Sequence, residues 1–448
     1  MLPTIESLAT DLAAGRTSSV QLTRAALARA ADPAGEGARV FTRLDSERAL
    51  ALATASDALR RAGLVRSPLE GLPVSVKDLF DIAGQTTCAG SVVLRDAPAA
   101  QHNAPVVDRL LAAGAVIVGR TNMTEFAYSG LGLNPHHGTP RNPWDRATGR
   151  IPGGSSSGAA VSVSDGMAVA AVGSDTGGSV RIPAALCGLT GFKPTAHRVS
   201  TEGVLPLSTT LDSIGPLAAS VRCCAIVDAV LTGQPVPAAA PAELAQVRLA
   251  VPTDVALDEL DDTVATAFET ACRRLAAAGA RIERIAVPAF AALPALFAKG
   301  TLPAAEAYAW HRALIDAQAA AYDPRVVQRM RLGAAITAAD YIGLLAARRR
   351  WIAEVQSCLA GFDALLMPTV PQVAPRIETL QADDAAYFRA NALMLRNPSL
   401  INFLDGCALS LPCHVPGSAP VGLMLAGVGG QDARILALGV AVEAALAG

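Results

Sequence analysis

Aromatic residues are scarce. Phe, Trp and Tyr make up 4% of the 448 residues, so the apolar content is mostly Ala, Val and Leu, and many helices are expected. A dominant charge is also missing. Lys plus Arg is 37 and Asp plus Glu is 39, a net charge of -2; a protein that holds bare nucleic acid usually carries a basic surplus. The eight cysteines include no CxxC pair, and the adjacent Cys223 and Cys224 are poorly placed to bridge, which argues against a disulfide framework. No apolar run approaches ~18 residues, so no transmembrane helix is expected. Met1 to Arg16 carries acidic residues and no apolar stretch of signal length. These features point to a cytoplasmic protein with neither a membrane nor a nucleic-acid partner. The six histidines (His102, His136, His137, His197, His311, His414) show no i, i+4 pairing with a glutamate between and no cysteine at zinc spacing, so no metal is expected. The longest basic cluster, Arg348 to Arg350, reads as a solvated helix end.

What is present is apolar bulk. Hydrophobic residues reach 51% against 17% charged, enough for a large core and too apolar for a disordered chain. Thr17-Ser18-Ser19 opens a capped amphipathic helix, and Ser46 to Ala62 forms a second that ends near Gly63. Leu72 to Lys77 reads as a strand, Val106 to Ala113 as a helix and Val116 to Val118 as a buried strand, the alternation of a sheet covered by helices. Pro235 to Pro241 reads as a linker. A βαβ-like unit follows at Val247–Val251, Asp261–Ala278 and Ala280–Val287. Residues 288–360 are mostly helical. Strands are expected at Leu365–Pro368 and Val421–Leu425, with a closing helix over Gln431–Ala447.

Residues 130–195 are rich in Gly, Ser, Thr and Pro, interrupted by a helix-like and a strand-like run. Such backbone either adopts unusual angles or approaches a ligand closely. Gly153 to Gly158 lacks the Gly-Lys-Ser/Thr ending of a phosphate-binding loop. Thr176-Gly177-Gly178-Ser179 is either a tight turn or a loop whose N–H groups hold an oxyanion beside a serine oxygen. Lys77 lies alone in an apolar strand. It either pairs with Asp78 or Asp81, or is buried and neutral. In the second case its pKa falls from ~10.4 to ~7, and it can act as the general base that no histidine is nominated to be.

These residues lie in long motifs. Gly153–Thr195 (GGSSSGAAVSVSDGMAVAAVGSDTGGSVRIPAALCGLTGFKPT), Gly71–Ser91, Gly119–Gly130 and Thr210–Ala218 (TLDSIGPLA) resemble the amidase signature family, densely over residues 65–220; Pro420–Gly427 fits more loosely. The resemblance implies an α/β fold with a mixed, mainly parallel central sheet covered by helices on both faces. It implies a single domain over 1–448, with N-terminal helices over 1–65, a catalytic core over 66–225, and a part over 246–448 completing the sheet and substrate pocket. It implies Ser179 as nucleophile, Ser155 as relay after a cis peptide bond, and Lys77 as base. Thr176, Gly177 and Gly178 would form the oxyanion hole, with Asp175 and Arg181 bracing the loop.

The implied reaction is hydrolysis of a small-molecule carboxamide to a carboxylate and ammonia or an amine, with no cofactor or metal. One alternative is the glutaminase subunit of a tRNA-dependent amidotransferase, though members of that type carry glutamine where Ile182 follows Arg181. A second is hydrolysis of a carboxylated urea such as carboxybiuret or allophanate, and a third is a catalytically silent binding protein. Tyr128 and His137 are expected in the substrate pocket, with Arg396 a candidate for a substrate carboxylate. No N-terminal membrane-binding helix is visible, which disfavours long-chain lipid amides. The family often forms homodimers, and the helices of 288–360 are where such an interface would form.

Overall fold

Short buried strands alternate with helices to build one mixed sheet of eleven strands in the computed structural model, which describes residues 2–236 and 242–447. The strands are β1 (Phe41–Leu44), β2 (Pro73–Lys77), β3 (Val116–Thr121), β4 (Ala170–Asp175), β5 (Thr190–Lys193), β6 (Ser213–Ala218), β7 (Arg248–Pro252), β8 (Arg281–Ile285), β9 (Ala364–Pro368), β10 (Cys407–Pro412) and β11 (Gly422–Gly427). Their order is β1-β3-β2-β4-β6-β5-β10-β11-β9-β7-β8. Sequence-distant strands β5 and β10 pair antiparallel at Leu409↔Phe192, which joins the two parts of the chain into one sheet.

The mixed architecture is the expected one, but parallel pairing is the minority. Only β2–β3, β2–β4, β7–β8 and β7–β9 run parallel. The other six neighbour pairs are antiparallel. Parallel neighbours need a crossover, which the helices Pro105–Ala112 and Asp262–Ala277 supply, whereas β10 and β11 are joined by a short connection that reverses the chain.

Side-chain alternation sends each strand's residues to two cores. Leu409 and Leu425 enter one cluster, with Val74, Val76 and Phe192. Ala408, Met424 and Ala426 enter another, with Trp351 and Phe403. Helices therefore cover both faces. Helix Ser19–Ala31 begins with the expected cap: Ser18 accepts from the Gln21 amide at 3.1 Å while Gln21 returns a bond to the Ser18 amide at 2.9 Å.

The arginine cluster differs from its expected place. Arg348 to Arg350 lie inside the helix Ala338–Cys358, not at its end, and Arg348 is half-buried, donating to the Phe403 carbonyl at 2.9 Å with its guanidinium over the Phe403 ring. Of the expected linker, residues 237–241 lie outside the described residues. No single helix among the described residues is long and apolar enough to cross a membrane.

Candidate active site

The C-terminal ends of parallel strands are where open α/β sheets present chemistry, and the site follows that rule. The register Val76↔Val172 brings the end of β2 beside the end of β4. Lys77, fully buried at the end of β2, points Nζ between two hydroxyls: Ser155 Oγ at 2.7 Å and Ser174 Oγ at 2.8 Å. Neither aspartate neighbour takes it. Asp78 is bound by Arg120 Nε at 2.7 Å, and Asp81 accepts from the Thr87 hydroxyl at 2.6 Å. Burial pulls the Lys77 pKa down to about 7, against the opposing charges of Asp175 and Asp212.

Ser155 is held by tight backbone packing. The Gly154–Ser155 peptide bond is cis. A Cβ on Gly154 would lie 2.5 Å from the Gly132 amide nitrogen, so only glycine lets these segments approach. The amide of the next residue, Ser156, donates to the Ser179 carbonyl at 3.2 Å, joining the Ser155 segment to the Thr176–Ser179 loop. That loop runs from the end of β4 into the helix Arg181–Leu186.

Asp175 and Arg181 organise the loop. Both are fully buried, and Arg181 grips the carboxylate with Nη2 at 2.9 Å and Nε at 3.0 Å. Burial alone would raise the Asp175 pKa, but the Arg181 charge and hydrogen bonds, with Lys193 and Asn402, hold it well below the usual carboxylate range. The same carboxylate accepts the amides of Gly178 at 2.8 Å and Val180 at 3.1 Å. Gly178 thus departs from its expected part. At φ +126 it shapes the turn, and its N–H serves Asp175. The amides of Thr176, Gly177 and Ser179 have no protein acceptor among the described residues.

A cavity of about 180 Å³ opens onto Ser179, Thr176 and Gly177. Its walls are mostly apolar, with Leu207, Leu211, Phe297, Leu302, Leu395 and Phe403. Tyr128 lines it. His137 and Arg396 do not. The His136 and His137 amides cap Asn134 Oδ1 at 2.8 and 3.1 Å, in a turn that lies off the cavity wall. Arg396 donates to the Asp258 carbonyl at 2.6 Å. Residues 395, 399, 402 and 403 of the helix Asp384–Phe403 line the cavity, whereas the Arg396 guanidinium is drawn off it, its Nε also donating to Asn397 Oδ1 at 3.1 Å. The charged residue on the wall is Arg329, from the helix Pro324–Arg331. Its guanidinium lies 4.2 Å over the Tyr128 ring and donates to the Tyr128 carbonyl.

Sequence reasoning does not single out Ser174, Asp212 or Arg329. Asp212 stands in the TLDSIGPLA stretch, so that motif contains it without marking it. Nothing in the sequence separates Arg329 from its neighbours Arg325 and Arg331. Among the described residues, no group of three His, Cys, Asp or Glu side chains is placed to hold a metal ion.

The family model described as Amidase matches residues 21–436. A 2-amino-5-chloromuconic acid deaminase of Comamonas testosteroni is 38% identical over 89% of this chain and 87% of its own length. One subunit of the glutamyl-tRNA(Gln) amidotransferase of Chloroflexus aggregans is 33% identical over 98% of this chain and 96% of its own. A solved structure described as a crystal structure of amidase superposes with a TM-score of 0.88 at 35% identity, covering 99% of both chains.

Proposed function

The chain belongs to the Amidase family, whose members hydrolyse C–N bonds, and we propose that it does so through Ser179, Ser155 and Lys77. The carrying observation is a fully buried Lys77 in direct contact with the Ser155 hydroxyl and with no carboxylate. A lysine titrating near 7 is neutral in an appreciable fraction at physiological pH, and its lone pair can accept a proton. Ser155 gives its proton to Lys77 Nζ and takes one from Ser179. Ser179 Oγ then forms a bond to the amide carbon. The N–H groups of Gly177 and Ser179, with Thr176 beside them, receive the oxyanion; one such donor is worth roughly 3–4 kcal/mol. The proton returns through Ser155 to the leaving nitrogen as the C–N bond breaks. Water repeats the cycle on the acyl-enzyme and releases the carboxylate.

For the substrate, the reading is a small amide with an apolar acyl body that carries a carboxylate. Leucine and phenylalanine walls suit the body, and Arg329 is the charged residue on the lining. A relative whose name specifies an acid supports this. Ser179→Ala and Lys77→Ala are each expected to abolish turnover in a folded protein, and a serine-directed phosphonate should label wild type at Ser179. Matched amides with and without a terminal carboxylate test the substrate class. The acids should have kcat/KM at least 100-fold higher, and Arg329→Met should erase that preference; equal rates on both series refute it.

A further inference from the structure

The segment between β5 and β6 is held by two carboxylates, one its own, Asp212, and one, Glu306, from a distant helix. Asp212 Oδ2 accepts the amides of Leu207 at 3.0 Å and Ser208 at 3.1 Å, while its Oδ1 accepts the Thr176 hydroxyl at 2.5 Å. Glu306, on the helix Leu302–Gln318, takes the Ser208 hydroxyl at 2.8 Å, the Thr210 amide at 3.0 Å and the Tyr341 hydroxyl at 2.8 Å. Leu207 and Leu211 line the cavity, and Thr176 is three residues before Ser179 on the same lining. One buried carboxylate therefore ties the cavity wall to the loop that carries the nucleophile.

We propose that Asp212 is a positioning residue that fastens the Thr176–Ser179 loop to the Leu207–Leu211 wall, so that the surface receiving the acyl group and the donors receiving the oxyanion move as one piece. This rests on the triad reading above and adds to it a residue outside the triad. Asp212 touches no reacting atom; it acts through Thr176. Its charge has a second consequence. Lys77 contacts Ser155 and Ser174, and the charges of Asp175 and Asp212, acting without contact, both favour its ammonium form. Asp212 in turn holds the Thr176 hydroxyl and two backbone amides and feels the charges of Lys77 and Glu306. Burial, with the Glu306 charge adding to it, lifts Asp212 to about 6 despite its hydrogen bonds. Near neutral pH it is largely ionised, so neutralising it leaves Asp175 alone to favour the ammonium form, and the lysine loses its proton at lower pH.

The test uses the full chain and two kinds of variant. Thr176→Val keeps the backbone N–H and loses the hydroxyl. It should lower kcat at least tenfold with KM within threefold, and Thr176→Ser, which restores the hydroxyl, should recover most of kcat. Asp212→Asn should lower kcat and also move the acid limb of the kcat/KM profile to lower pH by half a unit or more, a change that loosened packing alone would not produce. Thr176→Val with kcat within threefold of wild type overturns the proposal, as does folded Asp212→Asn with an unmoved limb. Should Asp212→Asn fail to fold, the Thr176 pair decides alone. Failure of the triad reading looks different: turnover would persist in Lys77→Ala, or wild type would lack an acid limb.

Discussion

Lys77 is buried against two serine hydroxyls, and that environment has a thermodynamic sign. Its folded pKa is about 7 against 10.5 for the free side chain. Between those values the unfolded chain binds the extra proton, so this group makes stability rise with pH from about 7 to about 10.5 and contributes no slope outside that window. At pH 6 the full penalty applies, about 5 kcal/mol at 1.36 kcal/mol per unit. Lys77→Met should therefore be inactive yet more stable at pH 6, by up to about 5 kcal/mol less what the two stranded hydroxyls cost. The gain should vanish by about pH 10.5. Urea denaturation at both pH values measures it, and a variant no more stable at pH 6 contradicts the burial account. Catalysis has a related dependence: kcat/KM should fall below about pH 7 as Lys77 gains its proton.

At the scale of elements, the Thr176–Ser179 loop depends on the Asp175–Arg181 pair. Arg181→Met leaves Asp175 buried without its main counter-charge, and losing one partner of such a pair costs about 3–5 kcal/mol. That loss should appear as a lowered urea midpoint, with Asp175→Asn/Arg181→Met less damaged than the sum of the single variants. The elements also show what is legible in advance. Helices with caps or stripes, such as Ser19–Ala31 and Pro105–Ala112, fall where their residues put them. Strands β5, β6 and β10 leave no mark of their own: Gly191, Gly215, Pro216 and Ser410 interrupt apolar runs of the kind that reveal the equally buried β3 and β9. The motifs point to Lys77, Ser155 and Ser179. Arg329 and the bond from Thr176 to Asp212 are created by pairings across tens to hundreds of residues, which no local pattern contains.

At the scale of the molecule, neither part of the chain owns the pocket. Thr176, Gly177, Ser179 and Leu207 come from the first, Phe297, Arg329 and Phe403 from the second, and β5–β10 pairing runs between them. We expect a single cooperative transition by calorimetry. A chain ending at residue 236 should be inactive, since it would leave β5 as an edge strand and remove half the cavity wall. Two separated transitions would argue for independent parts. A further consequence concerns when the enzyme comes into being. A nascent or unravelled polypeptide carries an ordinary protonated amine at position 77 and ordinary alcohols at 155 and 179. On the proposed triad, reactivity belongs to the closed tertiary structure, and it should be switched off at the same denaturant concentration that opens the core.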